Sequence, residues 1–140
     1  MPAASRVLLA PREDVWALVA EPYHLPDWWP AYTGVEPDRR GLAEGARWTV
    51  VRGRTPGFVR RPRGRGLILI KRVGVGSELA WVDLAQGLEA GVQLEGQGRN
   101  TLATAFVHGP FWRVLIEGAR GLPLLAVARL YDLCQTAASL

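Results

Sequence analysis

Residues 88–108 have the sequence LEAGVQLEGQGRNTLATAFVH, and this stretch decides the fold class. In its first part apolar and polar residues alternate, with Leu88, Ala90, Val92 and Leu94 on one side and Glu89, Gln93 and Glu95 on the other. A period of two residues predicts a strand with one covered face and one face in water. The polar QGRN at 97–100 predicts a hairpin turn, so the strand at 101–108 is expected to run antiparallel to the first.

The length of this turn decides which side chains of the second strand face the covered side of the sheet. A three-residue turn directs Phe106 and His108 inward, whereas a two-residue turn directs Ala105 and Val107 inward instead. The sequence leaves both registers open.

The same kind of pattern, read outward from the hairpin, predicts the remaining elements. Glycines separate short apolar segments before the hairpin, and helical spacing of apolar residues appears near both ends of the chain. The predicted elements are an opening strand at 5–9, a helix over 11–21, strands at about 33–38, 46–52, 66–73 and 78–86, and a helix from 111 to about 138. Gly118, Gly121 and Pro123 predict a break in the last helix.

Four short strings, in this order, resemble one known superfamily. Residues 10–19 (APREDVWALV) are similar to its "apiedVWalv" opening helix, and 25–30 (LPDWWP) to its "lp-W-P" turn. Residues 98–102 (GRNTL) stand where members carry a "gGTrv" hairpin, and Gly109-Pro110 where many carry "GP" before the last helix. Together they resemble the START/SRPBCC superfamily, and within it the polyketide cyclase/dehydrase-like branch.

This resemblance implies an α+β helix-grip fold in one domain over residues 1–140. In that fold a curved antiparallel sheet of about seven strands wraps around a long C-terminal helix, and two short helices follow the first strand. It also implies an internal cavity for a hydrophobic small molecule such as a lipid, a quinone or a polyketide. Because binding proteins and enzymes share the fold, a cyclase or dehydratase remains an alternative to plain binding.

Large apolar side chains on the covered face are the candidate ligand contacts, because aromatic rings form flat apolar walls with a donor for a ligand oxygen. These candidates are Trp28, Trp48, Trp81, Phe106, Leu124, Val127 and Tyr131. Plain core packing is the competing explanation for Trp48 and Trp81.

His108 is the candidate catalytic residue. In the inward register it would sit at the rim of the cavity and act as a general acid or base. The competing interpretation is a histidine at a strand end, bonded to backbone or water. Asp83 shares a strand face with Leu79 and Trp81, and we expect it at a wet strand end.

The positive charge is confined to one segment. Residues 52–65 (RGRTPGFVRRPRGR) hold six arginines, and without them the chain has 11 basic residues against 13 acidic ones. A solvated hairpin is the simplest explanation. The alternative is an anion or partner contact through Arg60, Arg61 and Arg63, for a phosphate group or an acidic partner. With one aromatic residue and no RNA-binding signature in this segment, we expect no nucleic acid as partner.

Composition excludes several other classes. With 49% hydrophobic and 21% charged residues, the chain is too apolar for a disordered protein, and no apolar run is long enough for an integral membrane span. The single Cys134 and two histidines give no disulfide and a poor metal site, so we expect neither a metal nor another cofactor. The sequence contains no G-x-S-x-G motif, so we do not expect a serine hydrolase. We expect a cytoplasmic protein that binds a hydrophobic ligand.

Overall fold

The computed structural model describes residues 2–52, 64–116 and 119–138. The strands in these ranges are β1 (Ala3–Leu8), β2 (Tyr32–Glu36), β3 (Arg47–Arg52), β4 (Arg65–Gly74), β5 (Glu78–Asp83), β6 (Leu88–Gln97) and β7 (Asn100–His108). The helices are α1 (Arg12–Ala20), α2 (Leu25–Trp28), α3 (Phe111–Ile116) and α4 (Leu122–Ala138), with a 3₁₀ turn at Pro22–His24. The predicted elements are therefore confirmed to within a few residues.

The seven strands form one antiparallel sheet in the order β1-β7-β6-β5-β4-β3-β2. The long helix α4 packs across β1 and β7, and α2 contacts both β2 and α4. This arrangement confirms the predicted α+β helix-grip architecture, with two short helices, α1 and α2, after the first strand. The face of the sheet toward α4 is called the inner face below.

The turn between β6 and β7 has two residues, Gly98 and Arg99, because Gln97 pairs with Asn100. Gly98 has a φ of +66°, and a glycine at the first central position is what a type II′ hairpin turn requires. The pairing places Leu94 opposite Ala103, so the two-residue register is the one the protein adopts. Ala105 and Val107 consequently face the inner side, and Phe106 and His108 the outer side.

Tryptophan side chains fill the middle of the inner face. Trp28, Trp29 and Trp81, here called the tryptophan cluster, meet edge to face with ring centroids 5.2–6.1 Å apart. Trp28 and Trp81 have no exposed surface, and Trp48 is 1% exposed. A void large enough for water at these rings would leave part of their surface accessible. Trp28, Trp48 and Trp81, which were predicted to line a cavity, therefore pack in the core instead.

The helix α4 covers the other side of this core with one apolar stripe. Ala126, Val127, Leu130 and Cys134 are buried against the sheet. Tyr131 lies at the edge of the stripe, where the guanidinium of Arg6 stacks 4.0 Å from its ring centroid. Among the described residues no helix is long and apolar enough to span a bilayer.

Candidate functional site

A cavity of about 370 Å³ lies where the chain passes from β7 through α3 into α4, next to the start of β1. We call it the helix-break cavity. It is lined by Pro2, Ala3, Ala4, Gly109, Phe111, Val114, Leu115, Arg120, Pro123 and Leu124. Its volume falls in the range of roughly 300–1,000 Å³ that is typical of small-molecule sites.

Local sequence explains why a cavity forms at this point. Pro110 ends the strand and starts α3, since its carbonyl accepts the backbone N–H of Arg113 at 3.0 Å and of Val114 at 3.1 Å. Pro123 stands in the first turn of α4, where a missing N–H costs no helical hydrogen bond. The chain therefore builds two helices here, and the cavity lies beside the break between them.

Close contact at Gly109 brings the start of α3 down onto the sheet. A Cβ atom at this residue would lie 2.4 Å from Cδ2 of Leu88, so a larger side chain would require the end of the Leu88 side chain to move. The cavity lining thus includes a glycine that the sequence places directly after β7.

The cavity lining is apolar except for one positively charged side chain. The lining residues Phe111 and Leu124 are 76% and 67% exposed, whereas Val114, which also lines the cavity, is buried. Arg120 is the one charged side chain among the described lining residues, and its guanidinium can bind a carboxylate or phosphate through two parallel hydrogen bonds. The cavity is thus suited to an apolar molecule that carries an acidic group.

A second polar arrangement lies in the core, around Asp83. This carboxylate is 2% exposed; it forms a salt bridge with Arg52 and accepts a hydrogen bond from Tyr32 Oη at 2.9 Å. The backbone N–H groups of Ala85 and Gln86 also donate to it, at 3.2 and 3.3 Å. The expectation of a wet strand end at Asp83 was wrong, because its charge is balanced by an arginine that is remote in sequence.

The surroundings of this buried pair are built to hold it. At Gly66 a Cβ atom would lie 2.6 Å from the guanidinium of Arg52, so the glycine leaves the room that the arginine occupies. Trp81 Nε1 donates to Tyr32 Oη at 3.3 Å. Burial, and then the negative charge of Asp83, raise the pKa of Tyr32 well above its ordinary value, so its hydroxyl remains a donor.

This cluster joins β2, β3 and β5 and is separate from the lining of the helix-break cavity. The Asp83 carboxylate already accepts four hydrogen bonds, which leaves little capacity for a ligand. Its evident role is to fix three strands together. Within the described ranges, the indole N–H of Trp28 is a buried donor without a hydrogen-bond partner.

Of the seven predicted ligand contacts, the helix-break cavity includes Leu124. Val127 is buried in the core and Tyr131 lies under Arg6. Phe106 is on the outer face against Gly91, where a Cβ atom would come within 3.0 Å of its ring. The structure therefore does not bring the predicted contacts together into one site.

The predicted catalytic and anion-binding residues have different outcomes. His108 is exposed on the outer face opposite Glu89, which points it away from both the core and the helix-break cavity. Arg60, Arg61 and Arg63 lie outside the described residues, so a phosphate or acidic partner there stays a prediction. In the described parts of the chain no three metal-ligating side chains cluster.

Sequence reasoning missed most of the cavity lining. Phe111, Val114, Leu115 and Arg120 were not among the predicted contacts, although the break that forms the cavity was predicted at Gly121 and Pro123. The sequence signal that could have located the cavity lining is that break together with the apolar residues on both sides of it.

The fold and the cavity together define a helix-grip protein with a small-molecule-sized cavity at the break before its last helix. No family model matches the chain, and no curated protein matches it either. Solved structures do match, and they agree on the fold.

Three of these structures illustrate the similarity. DynU16, a putative protein in the dynemicin biosynthetic locus, is 20% identical with a TM-score of 0.68, and the match covers 97% of this chain and 47% of DynU16. This chain therefore spans about half the length of DynU16. Protein NE0264 from Nitrosomonas europaea is 17% identical with a TM-score of 0.68, covering 99% of this chain and 96% of that one. Protein Ms6760 from Mycobacterium smegmatis is 17% identical with a TM-score of 0.68, covering 96% and 90%.

Proposed function

We propose that this protein binds a hydrophobic small molecule with one acidic group in the helix-break cavity. The observation that carries the proposal is an apolar cavity of about 370 Å³ with Arg120 among its lining residues. Burial of apolar ligand surface would supply most of the binding free energy, at roughly 25 cal/mol per Å² before the costs of association. Arg120 would orient the ligand.

Membership of the START/SRPBCC superfamily is part of this proposal. It is supported by the helix-grip fold together with the order of the four sequence strings described above. That superfamily implies lipids, quinones or polyketides as ligand classes. DynU16 is encoded in a biosynthetic locus, which supports a biosynthetic small molecule as the ligand here as well.

Binding is favoured over catalysis by the composition of the cavity. The described lining residues include no histidine, carboxylate, thiol, lysine or tyrosine to move a proton. The cyclase alternative assigned that task to His108, which faces away from the cavity. A binding or carrier role therefore has the better physical support.

The direct test is a titration with dodecanoate, an apolar chain with one carboxylate, followed by tryptophan fluorescence. Trp112, in α3, is 57% exposed and directly follows the lining residue Phe111, so its emission should shift to shorter wavelength as the ligand binds. Ala4→Phe places an aromatic ring inside the cavity from the inner face of β1, and should weaken binding about tenfold or more.

Val7→Phe is the matched control, because it puts the same ring on the outer face of the same strand. It should leave binding unchanged. Arg120→Ala should weaken dodecanoate binding, and Arg120→Lys should restore part of it. The proposal is contradicted if folded Ala4→Phe binds as well as the unmodified chain, or if neither dodecanoate nor a panel of quinones and aromatic polyketides binds.

A further inference from the structure

The outer side of the helix break carries an unusual density of exposed apolar side chains. Five large apolar residues from α3 and the start of α4 are between 41% and 76% exposed. We call them the helix-break surface: Phe111, Trp112, Leu115, Leu124 and Leu125. Five large apolar side chains this exposed within 15 residues are uncommon on proteins that meet only water, so this group indicates a partner.

The exposure follows from the positions of these residues in the two helices. Val114 of α3 and Ala126 and Val127 of α4 already fill the side toward the core. Phe111 and Leu115 are four residues apart and share another face of α3. Apolar residues thus remain on a face of each helix that the fold itself does not cover.

The described charged residues of 109–131, which carry the helix-break surface, are positive. The guanidinium of Arg113 lies 5.1 Å from the ring centroid of Trp112, and Arg120 is exposed between the two helices. The described residues of 109–131 hold three arginines, Arg129 being the third, and no acidic residue; Glu117 falls in the gap at 117–118. Exposed aromatic and leucine side chains with arginines beside them are the composition of an interfacial membrane contact.

We propose that the helix-break surface docks on a lipid bilayer with anionic headgroups. The five apolar side chains would enter the interfacial layer, and Arg113 and Arg120 would contact lipid phosphates. A symmetric pair of this chain fits the surface less well, because it would bring the arginines of the two copies together.

This docking does not require an occupied cavity, but it gives the cavity a source of ligand. Phe111, Leu115 and Leu124 belong to both the surface and the cavity lining. A bound bilayer would therefore lie at the opening of the cavity, and an apolar ligand would pass between them without crossing water.

Flotation with phosphatidylcholine vesicles, with and without phosphatidylglycerol, tests the docking. The protein should float with the phosphatidylglycerol vesicles, and salt should weaken this binding. Trp112→Ser combined with Leu125→Ser should lower partitioning about tenfold or more, since both side chains lose apolar burial in the bilayer. Neither residue lines the cavity, so this double variant should still bind dodecanoate, measured by calorimetry because the variant lacks the Trp112 reporter.

Val75→Ser is the matched control, since Val75 is also exposed but lies in the β4–β5 turn at the opposite end of the sheet. It should partition like the unmodified chain. Lipids brominated in their acyl chains should quench the emission of Trp112, and Trp112→Phe should float while losing that quenching. The Trp28, Trp29, Trp48 and Trp81 rings are buried and Trp16 is partly buried, so Trp112 should dominate this signal.

Three results would overturn the proposal. The first is no flotation with either kind of vesicle by folded protein. The second is equal partitioning of the unmodified chain and the Trp112→Ser, Leu125→Ser variant. The third is a dimer in sedimentation analysis that this double variant dissociates, because the surface would then join two copies. The Ala4→Phe variant should still float, which separates a failure of docking from a failure of ligand binding.

Discussion

The tryptophan cluster and the helix-break cavity differ in what occupies the space between the sheet and the helices that cover it. Around Trp28, Trp29 and Trp81 the protein's own rings fill that space, whereas about 370 Å³ stays open where α3 gives way to α4. Both regions belong to one helix-grip architecture. The difference shows that the fold by itself does not decide where ligand space lies, because side-chain volume can close one part and a helix break can open another.

The largest effect that would sharpen this comparison is expected from Trp81→Ala. Removing a fully buried indole from the cluster leaves a cavity and should lower the free energy of unfolding by about 3–5 kcal/mol. Leu124→Ala, at the exposed rim of the helix-break cavity, should change it by less than about 0.5 kcal/mol. Urea unfolding measures both, and a similar loss for the two variants would remove the distinction between a filled centre and an open end.

The buried pair beside the cluster should rank next. Asp83→Ala leaves the guanidinium of Arg52 in the core without its carboxylate, and should cost about 3 kcal/mol or more. The double variant Arg52→Leu, Asp83→Leu should cost clearly less than Asp83→Ala alone, because no uncompensated charge remains. Urea unfolding of the two variants is the measurement.

Dodecanoate affinity provides the control for that experiment. Arg52 and Asp83 are separate from the cavity lining, so the double variant should bind dodecanoate as the unmodified chain does. Lost binding in a folded double variant would mean that Arg52 or Asp83 belongs to the ligand site after all.

A smaller effect on the free energy of unfolding is expected at Glu89, which lies on the outer face of the sheet, away from both regions. Burial raises the pKa of Glu89, but hydrogen bonds from Lys71 at 2.5 Å and Arg72 at 2.9 Å outweigh it, and the pKa lies below its ordinary value. The stabilisation is therefore complete above the unfolded-state pKa and is lost as pH falls through the folded-state pKa. Its size is modest because Lys71 and Arg72 are about half exposed.

Glu89→Gln should accordingly flatten part of the acid side of the stability profile without changing dodecanoate binding. Urea unfolding at neutral pH and below the ordinary glutamate pKa measures the difference. An unchanged acid profile in this variant would show that the ion pairs with Lys71 and Arg72 contribute nothing.

Sequence patterns predicted the elements well because local chemistry sets them. Glycines and prolines mark the turns, and the alternation in residues 88–96 is preserved in β6. Even the undecided register had a local cause, since Gly98 at the first position of a two-residue turn suits a type II′ hairpin. That rule directs Phe106 and His108 outward from the sequence alone.

The site was harder to predict because it depends on contacts between distant residues. Asp83 is buried because Arg52, 31 residues away, reaches it across a glycine on the strand between them. Whether Trp48 and Trp81 wall a cavity or fill it depends on how closely the elements pack, which periodicity does not encode. The helix break at Gly121 and Pro123 was visible in the sequence, but the open volume beside it was not.

The most direct test of the account is the ¹H–¹⁵N spectrum of the tryptophan indoles during a titration with dodecanoate. The account predicts that the Trp112 indole signal shifts with ligand, because Trp112 directly follows the lining residue Phe111 in α3, while the signals of Trp28, Trp48 and Trp81 stay in place. Shifts of the Trp28, Trp48 and Trp81 signals with a stationary Trp112 signal would mean that the ligand enters the centre of the sheet, and would contradict the account.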